Sequence, residues 1–194
     1  MDLEEIERKK YELVYSSPKY GMHSPHWRCL TRVKEEIESH KSYANFGCGS
    51  GLLDKHILPG RTGWLVDHVY ALSPDVGEMP GCRFVAASLF GKFEHFDVPY
   101  AVCTDVMEHI PPEKVDAALE NIVSRTPECF FQISLDPTSD KKAIKYGGHL
   151  HLTVESPEWW EKTLLRFFKT LSNPKLDPHT SLLKKGWYLV TAHR

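Results

Sequence analysis

Three glycines at alternate positions, Gly47, Gly49 and Gly51, directly follow a short apolar run, Ser42-Tyr43-Ala44-Asn45-Phe46. The run reads as a strand, and the glycines read as a tight turn leading into a helix. Glycine has no side chain and accepts backbone angles closed to other residues, so such a turn lets a ligand lie against the main chain. The first N–H groups of the next helix then face an acceptor-rich group. The spacing is Gly-x-Gly-x-Gly, and position 52 is leucine. A Gly-x-Gly-x-x-Gly fingerprint is therefore absent, which disfavours nicotinamide and flavin dinucleotides. No Lys-Ser/Thr pair completes a triphosphate-binding loop either.

Around this turn the chain alternates strand and helix patterns. Strands are expected at 42–46, 63–67, 83–86, 99–104 and 129–135, with a last one at 187–192. Helices fit after Gly49, over 112–125 and over 158–169. The second of these has Pro111 and Pro112 at its start and an apolar stripe of Val115, Ala118, Leu119, Ile122 and Val123. Upstream lie two further helices, 2–14 with Leu3, Ile6, Tyr11 and Leu13 on one side, and 26–39, separated by a Ser/Pro/Gly-rich loop. The alternation predicts an α/β fold: a Rossmann-like, doubly wound, mostly parallel sheet covered on both faces. Residues 1–41 form an N-terminal helical cover and residues 42–194 the ligand-binding domain, in one structural domain overall. Ligands of such sheets bind beyond the carboxyl ends of the strands, where the glycine turn sits.

Composition narrows the setting. A chain of 194 residues is enough for one domain with a full core. Five cysteines lie scattered, without a Cys-x-x-Cys, which points to reduced thiols in a cytoplasmic protein. The acidic N-terminus has no signal-peptide pattern, and no apolar run approaches the ~20 residues of a membrane span. Residues 42–140 carry 6 basic and 14 acidic side chains, and residues 141–194 carry 10 and 4. The basic tail leaves a nucleic-acid partner open without favouring it over a solvated surface.

With dinucleotides and triphosphates set aside, S-adenosylmethionine is the nucleotide-like ligand that suits the turn. Asp67 ends the second strand, 20 residues after Gly47, where a carboxylate can accept from both hydroxyls of a ribose. Asp75 is a competitor farther along the same loop. Ser88 and Leu89 follow the third strand, at the place for an adenine amino group. Thr104 and Asp105 follow the fourth, and Asp105 brings negative charge toward an ammonium and a sulfonium. His109 is a pocket-side residue that fixes the loop rather than the base. His149 and His151, two apart on an extended segment, point to one side, and either is a candidate base. A metal would need a third ligand, which nothing near them in sequence supplies, so none is expected. Trp159 is a candidate pocket wall, with the alternative of an aromatic anchor.

Together these segments resemble class I S-adenosylmethionine-dependent methyltransferases. Asn45-Phe46-Gly47-Cys48-Gly49-Ser50-Gly51 is similar to the family's first motif, and Cys103-Thr104-Asp105-Val106-Met107-Glu108-His109-Ile110 to its fourth-strand segment. Gly148-His149-Leu150-His151-Leu152-Thr153-Val154 and Pro157-Glu158-Trp159-Trp160 resemble small bacterial and phage members, as does Tyr20-Gly21 with Ser24 and His26. The resemblance implies methyl transfer to an O, N or S nucleophile of a small molecule or modified nucleotide. It implies cofactor contacts from Asn45, Phe46, Gly47, Cys48, Gly49, Gly51, Asp67, Ser88, Leu89, Thr104 and Asp105. Tyr20, His26, His109 and Trp159 would close the acceptor pocket. The chain departs from the family in having Asn45 and Ser88 where acids are usual. That departure motivates a non-catalytic binder as the alternative, beside transfer of another arm of the cofactor and nucleic-acid modification. No Asp/Asn/Ser-Pro-Pro-aromatic tract and no Pro-Cys pair follows the fourth strand, which disfavours two routes of base methylation.

Overall fold

The computed structural model describes residues 3–16, 29–69, 79–138, 148–177 and 186–194. The strand ahead of the glycine turn, β1 (Ser42–Phe46), lies inside a seven-stranded sheet of order β3-β2-β1-β4-β5-β7-β6. β2 (Thr62–Asp67), β3 (Cys82–Ala86), β4 (Ala101–Thr104) and β5 (Glu128–Ser134) run parallel with it. β7 (Trp187–His193) pairs antiparallel with β5, and β6 (Thr170–Asp177) antiparallel with β7. The strand order reverses between β1 and β4, and ligands of open α/β sheets bind at the carboxyl side of such a reversal.

Side chains of one strand alternate between the two faces. Ala44 and Phe46 of β1 enter one core with Val115, Ala118, Leu119 and Ile122 of α4 (Val115–Val123) and with Trp160 and Leu164 of α5 (Pro157–Leu164). Tyr43 enters the opposite core with Val33 and Ile37 of α2 (Leu30–Ile37) and Ile57 of α3 (Asp54–Ile57). The sheet is thus covered on both sides, as the alternating pattern predicts. Arg32 and Glu36 tie α2 to the far edge of the sheet, because Arg32 donates to the Thr191 hydroxyl at 2.7 Å.

α1 (Leu3–Tyr15) buries a different stripe from the one the sequence suggests. Its inward residues are Glu7, Lys10, Tyr11 and Val14, while Leu3, Ile6 and Leu13 are only half-buried. Burial of the two charges is possible because Lys10 Nζ lies 2.7 Å from both Glu7 oxygens and donates to the His149 carbonyl at 3.0 Å. Tyr11 and Val14 pack on Val69 and Leu150, so α1 rests on loops that leave the carboxyl edge of the sheet.

Three elements differ from the sequence expectation. The helix after the glycine turn is a single turn, Asp54–Ile57. α4 starts at Val115, after a 3-10 turn over Pro112–Lys114 that opens on Pro111 and Pro112, where a missing N–H is tolerated. α5 ends at Leu164, and residues read partly as helix give way to β6. That strand is hidden in sequence by Pro174. Pro is tolerated there because β6 is an edge strand with a register shift between Ser172 and Lys175 and a left-handed Asn173. No helix among the described residues is long and apolar enough to cross a membrane.

Candidate active site

The glycine turn is held mainly by backbone. Gly47 N and Cys48 N both donate to the Val66 carbonyl at the end of β2, at 2.7 and 3.1 Å. Gly47 has φ +76°, and a Cβ there would stand 2.2 Å from Val106 Cγ2. Only glycine fits, for reasons of both angle and space. Asp67 closes the turn from β2: its carboxylate accepts from Gly49 N at 2.9 Å and from Val69 N at 3.0 Å. Each carboxylate oxygen retains further acceptor capacity.

Beneath the turn sits a buried acid that the sequence does not advertise. Asp54 accepts from the Tyr43 hydroxyl and from Asn45 Nδ2, each at 2.8 Å. Burial raises its carboxyl from the usual range to about 6, against the pull of those two donors. Because Asn45 must turn its amide nitrogen toward Asp54, its Oδ1 faces away, buried and without a partner.

Other orphaned polar atoms share this edge. His68 Nε2 just past β2, Ser88 Oγ past β3, Glu108 Oε2 past β4 and Gln132 Oε1 on β5 are also buried without partners. Each of the five parallel strands thus presents one such atom at or just beyond its carboxyl end. Trp160 Nε1 is the other such atom among the described residues. Buried polar groups are nearly always satisfied, so this concentration makes the carboxyl edge the candidate site for a polar ligand.

Past β4 the chain is side-chain-built. Asp105 adopts φ +53°, an unusual angle for a residue with a Cβ. Its carboxylate is gripped by Gln132 Nε2 at 2.5 Å and Trp187 Nε1 at 2.8 Å. Glu108 is fully buried, and Ser134 N donates to its Oε1 at 3.1 Å. Burial, then the nearby Asp105 carboxylate, pushes the Glu108 carboxyl well above its ordinary range. Leu152 N and Thr153 N donate to the Glu108 carbonyl at 2.7 and 3.0 Å, which pulls the 149–153 segment over the site. His151 thereby meets His109 edge-on, with ring centroids 4.6 Å apart. Burial first, then His151, lowers the His109 imidazole to about 3, so it is neutral at physiological pH. Donor atoms of Glu108, His109 and His151 lie within 4.8 Å of one another.

No protein-family profile and no curated protein matches the sequence. Solved structures do match in shape. A 1,6-didemethyltoxoflavin-N1-methyltransferase from Burkholderia thailandensis, solved with bound 1,6-didemethyltoxoflavin and S-adenosylhomocysteine, superposes with a TM-score of 0.75 at 17% identity, over 98% of this chain and 88% of that one. The N-methyltransferase NodS from Bradyrhizobium japonicum WM9, with S-adenosylhomocysteine, gives 0.72 at 13% identity, over 97% and 98%. The magnesium protoporphyrin IX methyltransferase of Synechocystis PCC 6803, with S-adenosylmethionine, gives 0.67 at 13%, over 100% and 98%.

The fold is that of the class I methyltransferases.

Within this methyltransferase fold the structure sorts the residues singled out by sequence. Gly47, Gly49, Gly51, Asp67, Ser88, Thr104 and Asp105 all lie at or just beyond strand ends on the carboxyl edge. Phe46 and Cys48 send their side chains into opposite cores, and Leu89 is likewise buried, so backbone is what they offer there. The two histidines expected to point together part company. His149 is exposed, whereas His151 reaches His109. The segment is not a regular strand there, and Gly148 has φ +72°. Glu108 and His109, some forty residues upstream, come together with His151, a grouping that leaves out His149 and that nearness in sequence does not show. Trp160 is a fully buried anchor, and Trp159 packs edge-on to it at 4.9 Å and against the same core. Tyr20, His26 and Asp75 lie outside the described residues. Sequence reasoning missed Tyr43, Asp54, Gln132 and Trp187, whose partners come from distant segments and leave no local pattern.

Proposed function

We propose that this chain is a methyltransferase that binds S-adenosylmethionine at the carboxyl edge of its sheet and passes the methyl group to a nucleophile on a small molecule or modified nucleotide. The observation that carries this reading is the row of orphaned buried polar atoms, one per parallel strand, beside a glycine turn that admits no side chain at Gly47. The donor set suits the cofactor. Asn45 Oδ1 is oriented as an acceptor for an ammonium. Asp67 has acceptor capacity for ribose hydroxyls, and the Ser88 hydroxyl can take either role with adenine. Asp105 is locked by Gln132 and Trp187 and would bring negative charge toward the methionine end. The matched structures with bound cofactor or its product support the choice of ligand. An acid usual at position 45 is absent, but Asp54 provides a carboxylate one hydrogen bond away from Asn45.

When bound, the cofactor supplies a methyl group activated by its sulfonium. The chain's own task is alignment and exclusion of water, which account for most of what such a transfer needs. α1 contributes by laying Tyr11 over His109 and His68, with ring centroids 5.4 Å apart in both cases. We assign the handling of the acceptor's proton to the Glu108, His109 and His151 group rather than to exposed His149. A crystal structure with S-adenosylhomocysteine tests the assignment. The ligand should contact Asn45, Asp67, Ser88 and Asp105. Density for it elsewhere, with those groups unchanged, would overturn the reading.

A further inference from the structure

We propose that Glu108, His109 and His151 form a binding site for a divalent first-row transition cation, with Glu108 Oε2 and one nitrogen of each imidazole as ligands. It deepens the reading above and rests on it for the acceptor: as ligands the three side chains act on the acceptor's proton through the cation, while cation binding itself needs no cofactor. Three independent features converge. The donor atoms lie within 4.8 Å of one another, near enough for small side-chain shifts to gather them around one ion. Glu108 Oε2 is fully buried without a partner, while its Oε1 is spoken for by Ser134 N. The imidazoles are also set up as ligands. His109 Nδ1 donates to the Leu150 carbonyl at 2.9 Å, and His151 Nδ1 donates to the Asp136 carbonyl. Each bond leaves the lone pair on Nε2, the arrangement by which outer-shell carbonyls orient metal-binding histidines. The Tyr11 hydroxyl lies against the same His109 nitrogen, so α1 steadies that ring.

Charge argues the same way. Two carboxyl side chains, fully buried Glu108 and part-buried Asp105, meet past β4, and a divalent cation there would offset the charge of both. The nearby buried Lys10 is already balanced by Glu7. Two imidazoles and a carboxylate suit zinc, cobalt, manganese or iron rather than magnesium or calcium. Three protein donors also leave a position for water or an oxygen of the acceptor.

The test titrates the chelator-treated full chain with Zn²⁺ by calorimetry and with Co²⁺ by visible absorption. Wild-type protein should bind one equivalent, and the Co²⁺ bands should indicate mixed nitrogen and oxygen ligands. Glu108→Gln keeps the size and the acceptor for Ser134 N, and should weaken binding about 100-fold while the melting profile shows a folded protein. His151→Ala should do the same by removing a ligand on another segment. Stoichiometric binding unchanged in both variants places the ion elsewhere and overturns the site. So does absence of binding by folded wild type, in which case Glu108 is a protonated acid facing Asp105. S-adenosylhomocysteine titrated into the same samples separates the two claims: ligand binding without metal removes only the cation site, and metal binding without ligand removes only the cofactor reading.

Discussion

The two halves of the carboxyl edge are made in different ways. Around β1 and β2 the site is main chain: a glycine turn hung on the Val66 carbonyl and the Asp67 carboxylate, all within 21 consecutive residues, 47 to 67. Beyond β4 it is side chain. Asp105, Glu108, His109, Gln132, His151 and Trp187 arrive from four separate stretches: Gln132 and Trp187 grip Asp105, Ser134 N holds Glu108, and His109 meets His151 ring to ring. A backbone site tolerates almost no change at the turn itself but little depends on distant residues. A side-chain site spreads its dependence, so single losses there are smaller and are felt first in chemistry.

The largest effect should follow Gly47→Ala. The new Cβ would meet Val106 Cγ2 at 2.2 Å, in a left-handed conformation that disfavours alanine. A loss of about 3 kcal/mol in urea unfolding is expected, with cofactor binding abolished. In a Val106→Ala background the same change should cost less, because the steric part is relieved. Full additivity of the two would show that Val106 does not press on the turn.

Asp54 sharpens the comparison through pH. Its carboxyl is raised to about 6 by burial, so the folded state holds its proton more tightly than the unfolded chain does. The associated stability is present below about pH 4 and is lost as pH rises through about 6, amounting to roughly 3 kcal/mol. Tyr43, Cys48 and Cys82 around it are all pushed up and stay neutral over that range. Asp54→Asn should therefore gain on wild type between pH 4 and 7 in urea midpoints. A constant difference across that range would contradict a raised Asp54.

On the side-chain half, Tyr11→Phe removes the hydroxyl that touches His109 Nδ1 and donates to the Leu150 carbonyl at 3.3 Å. About 1 kcal/mol should be lost, since the ring stays packed. A change above about 3 kcal/mol would mean that α1 is fastened to the edge chiefly by that hydroxyl. The smallest effect belongs far from either half. Arg166 and Asp116 pair at 2.5 Å with both side chains about half exposed. Arg166→Ala should move stability by less than about 1 kcal/mol and leave ligand binding untouched.

The same contrast explains what could be read from the chain. The glycine turn, the five parallel strands and Asp67 were legible because local spacing encodes them. Pro174 concealed β6, since a bulged edge strand breaks the usual pattern. The stripe on α1 was misread because a Glu7–Lys10 pair, neutralised internally, takes a position normally apolar. The pairing of Glu108 with His151 could not be seen at all. It depends on two backbone bonds from Leu152 and Thr153 to Glu108, a tertiary closure with no periodicity.

The methyltransferase reading requires a carboxyl edge shaped for an adenosyl ligand. Isothermal titration of wild-type protein with S-adenosylhomocysteine addresses this directly. Saturable one-to-one binding that Gly47→Ala removes is the predicted result. A folded wild-type protein giving no binding heat at ~1 mM ligand would contradict it.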